Sequence, residues 1–261
     1  MSTDSLISST SSSWSTKNRP FIISVEGNIG SGKSTLLRYL SEHSNEKWIF
    51  LQEPVDDWTS IKDKEGVTIL EKFYANQEKY SFSFQIMAYI SRLAILKKAV
   101  EENPGAIIVT ERSLFTDKHV FAKMLYDSGK IEDVDYQIYS RWFDTFVNDY
   151  PISGYIYVKT EPNICHDRVN IRCRDGEESI PIDYLNSCHK YHEEMLNEGV
   201  SGYILTLNGN LEFEKEKESW ANKVDKWVSE IINTKENINL LSESPHGCCS
   251  IFEYWSDLPI F

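Results

Sequence analysis

The stretch FIISVEGNIGSGKSTLLRYL, Phe21 to Leu40, constrains this chain more than any other. An apolar run ends in Glu26, a glycine-rich turn follows, and Lys33 opens an amphipathic run. Gly27, Gly32, Lys33 and Ser34 satisfy the pattern G-x-x-x-x-G-K-[ST]. Such a loop points backbone N–H groups inward around phosphate oxygens, and its glycines let the backbone approach closely. The helix starting at Lys33 aims its positive end at the same anion. Lys33 supplies a point charge to the terminal phosphates, and the Ser34 hydroxyl is a natural Mg²⁺ ligand. A glycine turn without a ligand is disfavoured, because the motif sits between a predicted strand and a predicted helix. The loop is therefore read as holding a nucleoside triphosphate.

After Pro20 the pattern alternates strand and helix. Strands are predicted at 21–26, 48–53, 106–111, 154–160 and 203–207. Helices are predicted at 33–43, 69–75, 79–102, 113–127, 133–148, 162–172, 181–198 and 211–232. Short apolar strands separated by helices predict an α/β fold with a five-stranded parallel sheet covered on both faces. Residues 1–19 are mostly Ser and Thr and are read as a disordered tail. With Arg19 as its lone arginine, that tail is a poor transit peptide. The main domain is placed at 20–232, with a C-terminal extension of unknown role at 233–261.

A net charge of −13 argues against a sequence-independent nucleic-acid binder, but not against a small anionic ligand held by local cations. No run of about 18 apolar residues predicts a membrane span. The five cysteines, Cys165, Cys173, Cys188, Cys248 and Cys249, lack zinc spacing. They are read as reduced thiols, with the cytoplasm preferred over the mitochondrion.

A bound triphosphate can serve a switch or a transfer. DKEG (63–66) and NKVD (222–225) imitate GTPase motifs, but neither follows an apolar strand. A small-molecule kinase needs a carboxylate at a strand end, a metal partner and cations on the transferring group. Glu53 ends the second strand, and Glu111 and Arg112 end the third. All three fall at the sheet edge where parallel α/β folds bind ligands. Arg168, Arg172 and Arg174 run into a Gly-containing acidic loop, read as a lid that excludes water. A nucleoside monophosphate kinase would share loop and lid but need further cations for its acceptor phosphate.

The segments EGNIGSGKST, EPVDDW, YSFSFQ…SR, ERSLFTD and RCRDGEESIPIDYL…H…HEE resemble the deoxynucleoside kinases of the deoxycytidine, deoxyguanosine and mitochondrial thymidine kinase group. The resemblance covers Phe21 to Val228, in the family's order. It implies a P-loop kinase fold with an arginine-bearing lid, a homodimer, and transfer from Mg²⁺-ATP to a deoxynucleoside 5′-hydroxyl. Glu53 would be the general base, with Lys33 and Arg112 at the reacting group. Gly27, Asn28, Gly30, Gly32, Lys33, Ser34 and Thr35 would cradle the phosphates, and Ser34 and Glu111 would place Mg²⁺. Arg172 and Arg174 would be the lid arginines, and Arg168 would stack on the donor base with Phe213. Gln85 would read the base edge, walled by Trp58, Phe82 and Phe115, while Tyr74 and Glu177 would hold the 3′-hydroxyl. Arg92 and Asp117 match the charged pair of members taking deoxycytidine and purine deoxynucleosides. That pair favours those substrates over thymidine, although LYDSGKIEDVDY is more like the thymidine-accepting branch.

Overall fold

The computed structural model describes residues 20–44, 48–172 and 180–242, with 235–242 described by backbone alone. The chain divides into two compact units, Met1–Lys217 and Glu218–Phe261. The first unit holds the five-stranded sheet. Strands β1 (Phe21–Glu26), β2 (Trp48–Leu51), β3 (Ile107–Glu111), β4 (Gly154–Lys159) and β5 (Tyr203–Asn208) lie in the order β2-β3-β1-β4-β5. Every pairing is parallel. Successive residues of β1 are buried whichever way they point: Ile22, Ile23, Ser24 and Val25 are all 1% exposed or less. Helices therefore cover both faces, as a continuous apolar strand requires.

The helices are α1 (Lys33–His43), α2 (Val55–Ser60), α3 (Ile69–Ala75), α4 (Gln77–Glu102), α5 (Leu114–Thr116), α6 (Lys123–Asp127), α7 (Asp133–Phe146), α8 (Pro162–Arg172), α9 (Ile182–Glu194) and α10 (Phe213–Ser242). The second unit, as far as it is described, is the later part of α10.

Several elements differ from the sequence reading, among them α10, which runs to Ser242, ten residues beyond the helix expected at 211–232. β2 stops at Leu51, so Glu53 lies just past the strand rather than in it. The chain after Pro54, where the sequence reading placed no element, forms α2. Its signals are a proline at the start and Asp56 and Asp57 in the first turn, where they face the positive end of the helix. The expected helix 113–127 is interrupted by a π-helical turn, Asp117–Ala122, between α5 and α6. Such turns re-aim side chains and recur at functional sites.

Candidate active site

β2 and β3 lie on one side of β1, and β4 and β5 on the other. The crevice therefore opens at the carboxyl end of β1, where the glycine loop sits. Gly27 and Gly30 are compelled by geometry. A Cβ at Gly27 would stand 2.6 Å from the Val158 carbonyl oxygen, and one at Gly30 2.5 Å from that of Cys165. Both have positive φ, 140° and 78°.

The Lys33 ammonium folds onto its own loop and donates to the Asn28 carbonyl at 2.7 Å. Burial first, and then the Arg112 charge, pull it down to about 8 against Glu111 and Glu53. An arriving polyphosphate would favour its charged form. The Asn28 side chain turns inward, donating to the Leu185 carbonyl at 2.8 Å. It fixes the loop to α9, so any contact with phosphate falls to its backbone.

A cavity of about 360 Å³ runs from this loop into the protein. Gly30, Gly32, Lys33, Ser34 and Thr35 line one end, and Trp58, Tyr74, Gln85, Arg92 and Asp117 the other, with Glu53, Glu111 and Arg112 between. Arg168 and Arg172 line it as well. Arg168 donates to the Ser31 carbonyl at 3.3 Å and the Leu211 carbonyl at 3.4 Å, clasping the loop from α8. Phe213 stands edge-on to Tyr39 at 5.8 Å. Arg174 and Glu177 lie outside the described residues.

Two expected walls are elsewhere. Phe82 and Phe115 pack into a cluster with Tyr89, Leu114 and Phe143 and do not line the cavity. The reason is helical phase. Phe84, Gln85, Ala88 and Arg92 share one face of α4, whereas Phe82, Ile86, Tyr89 and Leu93 share another, roughly a third of a turn round. The aromatic walls are Trp58, Phe73, Tyr74, Phe84, Phe121 and Tyr184. Phe84 stacks on Phe73 at 4.6 Å and meets Trp58 edge-on at 5.5 Å. Trp58 is fixed by its indole N–H donating to Ser91 Oγ at 2.9 Å. The Gln85 amide is bonded to nothing among the described residues, which leaves its donor and acceptor for a ligand.

A chain of charges crosses the middle of the cavity. Arg92, 2% exposed, donates from Nε to Asp117 at 2.9 Å, from Nη1 to the Glu111 carbonyl at 2.5 Å and from Nη2 to Glu53 at 3.0 Å. Arg112 reaches the same Glu53 oxygen at 2.6 Å. Burial would raise the Glu53 pKa, but Arg112 and Arg92 together bring it down to about 2. Asp117 moves the other way, because burial outweighs the pull of Arg92. Arg112 has φ 62°, a left-handed conformation that disfavours any side chain. Strain of this kind concentrates where a site over-determines the backbone.

Sequence reading missed Glu26. It is fully buried at the end of β1 and accepts from Ser24 at 2.5 Å, Ser113 at 2.8 Å and Thr116 at 2.5 Å. It binds the loop strand to the chain leaving Arg112. The signal was present, since an acidic residue closing a buried strand needs local partners.

Ser34 Oγ donates to Glu111 Oε1 at 2.7 Å. That separation is close to the edge of an octahedron with metal–oxygen bonds of about 2.1 Å, so the pair suits Mg²⁺. Among the described residues no group of three or more His, Cys, Asp or Glu could hold a metal. Mg²⁺ needs none, since it is usually held by one or two protein oxygens plus phosphates.

Residues 23–233 match the profile of the deoxynucleoside kinases. The chain belongs to the deoxynucleoside kinase family. Over 198 residues it is 38% identical to a probable deoxycytidine kinase of fowlpox virus, covering 73% of this chain and 80% of that one. It is 33% identical over 236 residues to the deoxycytidine kinase of Rattus norvegicus, covering 79% and 90%. The human mitochondrial thymidine kinase 2 is 33% identical over 185 residues, covering 70% and 67%. This deoxynucleoside kinase is a phosphotransferase. Among its described residues no helix is long and apolar enough to cross a membrane.

Proposed function

We propose that this kinase transfers the γ-phosphoryl group of ATP to the 5′-hydroxyl of a deoxynucleoside, favouring deoxycytidine and purine deoxynucleosides. The observation that carries this reading is the charge chain Asp117–Arg92–Glu53–Arg112, stretched between the glycine loop and the aromatic chamber. The sugar end of a nucleoside seated in the chamber meets Glu53, and its base meets Gln85, Arg92 and Asp117. Glu53 takes the hydroxyl proton. With two arginines holding its pKa low it is a weak base, which suffices where the transition state is loose and positioning dominates. Lys33, Arg112 and the arginines of α8 gather positive charge around the transferring group. Ser34 and Glu111 would hold Mg²⁺, which would supply charge to offset that of the donor phosphates. The Arg92–Asp117 pair fills the space a thymine methyl would need and offers hydrogen bonds to a cytosine or purine edge.

We also propose a homodimer. Val134, Ile138 and Trp142 on α7 and Ile90 on neighbouring α4 are 43–64% exposed, and the three on α7 recur every fourth residue on one face. A contiguous apolar face of this kind marks an association surface. A kinase that works on free nucleosides with ATP suits the cytoplasm.

The test is the purified protein with Mg²⁺-ATP and, separately, deoxycytidine, deoxyadenosine, deoxyguanosine and thymidine, with products resolved by chromatography. Monophosphates of deoxycytidine or the purines, with little thymidylate, are expected. Thymidylate as the main product would keep the chemistry and overturn the base preference. Phosphorylation of nucleoside monophosphates alone would overturn the acceptor.

A further inference from the structure

Four buried side-chain polar atoms have no hydrogen-bond partner among the described residues: Ser81 Oγ, Arg112 Nε, the Tyr139 hydroxyl and His192 Nε2. A buried polar atom left without a partner is costly, so each asks for a reason. Two of them pack on the same ring. The Arg112 guanidinium carbon lies 5.0 Å from the Phe121 centroid. The His192 ring meets Phe121 edge-on at 6.1 Å and 89°.

The two orphans are chemically complementary. His192 Nδ1 lies 2.7 Å from the Cys188 carbonyl oxygen, one turn back on α9. A carbonyl oxygen only accepts, so Nδ1 carries the proton and Nε2 a lone pair. Burial first, and then the charge of Arg112, push the imidazole down to about 3, so the ring is neutral at working pH. Arg112 Nε–H, in turn, can only donate. A lone acceptor and a lone donor thus both belong to side chains packed on Phe121, which lines the cavity.

We propose that His192 is a positioning residue for Arg112, its Nε2 accepting from Arg112 Nε, directly or through one trapped water, during phosphoryl transfer. The inference rests on the roles proposed above for Glu53 and Arg112. Before transfer, Arg112 is held by the Glu53 carboxylate at 2.6 Å. When Glu53 takes up the hydroxyl proton it loses its charge and much of that hold. A neutral acceptor on the other edge of the guanidinium keeps its plane fixed on the departing phosphoryl. A lysine could not be held in this way, since it has no Nε–H edge.

Three substitutions separate this role from packing. In His192→Gln the terminal amide reaches where Nε2 stands, and its oxygen can accept. His192→Asn places its amide where Nδ1 stands and keeps only the bond to Cys188. His192→Phe fills the space and offers neither. Steady-state kinetics and thermal midpoints would be measured for each. Turnover of the Gln variant is expected within about threefold of wild type, while Asn and Phe lose at least about tenfold with the nucleoside KM unchanged. Equal turnover in Gln and Asn, or losses that follow the thermal midpoints, would overturn the proposal. A readout independent of activity is ¹⁵N NMR of the histidine-labelled protein, which reports the tautomer directly. An Nδ1–H tautomer is expected; an Nε2–H tautomer overturns the inference whatever the enzyme phosphorylates. Inactivity of the wild type toward every nucleoside would strike the proposed function instead.

Discussion

Glu53 sits between two buried guanidinium groups, and this sets its behaviour with pH. Its folded pKa lies below the ordinary carboxylate value, so the arginine pairs contribute stability above about pH 4.5. That contribution is lost as pH falls toward about 2. Glu53→Gln keeps an oxygen for Arg92 and Arg112 but has no charge to lose. Its stability deficit against wild type is expected to shrink between pH 5 and 3 in denaturant titrations, scaled as about 1.4 kcal/mol per pKa unit. At pH 7 the same variant should bind nucleoside normally yet turn over at least about a hundredfold more slowly. Unchanged turnover would remove Glu53 from the mechanism. The glycine loop, Glu53, Glu111 and Arg112 were legible because motif spacing ties them to strand ends and to the loop, whereas Tyr74, Gln85, Arg92 and Asp117 were reached only through the family resemblance. The chamber walls were not legible, because α4 carries apolar side chains all round and spacing alone does not say which face meets the ligand. Phe82 and Phe84 differ by about 200° of helical rotation, and only packing chooses between them. Glu26 was passed over because two of its three hydroxyl partners, Ser113 and Thr116, lie 87 and 90 residues away in the sequence.

The alternation of strands and helices was legible because the strands are buried on both faces and hence continuously apolar. Their boundaries shifted where tertiary contacts took over, as when α2 formed after Pro54 and the π turn opened at Asp117. The first residue of the π turn, Asp117, accepts from the buried Arg92 at 2.9 Å. The junction between loop and helix is tightest at Gly30, which rests against the α8 backbone at Cys165. Gly30→Ala would meet that carbonyl and also hold an unfavourable positive φ. Loop and α8 must then separate, carrying Arg168 away from the Ser31 carbonyl. The expected result is at least about a tenfold weaker affinity for ATP, with nucleoside binding changed little, by calorimetry with each ligand alone. Equal affinity for ATP in the variant would show that the contact is not needed to shape the loop.

At the scale of the molecule, the exposed stripe on α7 predicts self-association. Ile138→Glu together with Trp142→Arg should leave the fold intact and convert a dimer to a monomer in sedimentation velocity. A wild type that sediments as a monomer at micromolar concentration would dismiss the dimer. The charge chain has a wider reach than any of its members. Arg92 bonds both Asp117 and Glu53, so under the proposed substrate placement what happens at the base would be felt at the reacting hydroxyl. A base that disturbs Asp117 loosens the grip on Glu53, and an ill-suited nucleoside is then held but turned over slowly. Selectivity would be written in rate more than in affinity. For anyone redirecting this enzyme to another base, positions 53, 92 and 117 are therefore epistatic: the path to a new specificity runs through paired changes, and single ones lead to inactive intermediates.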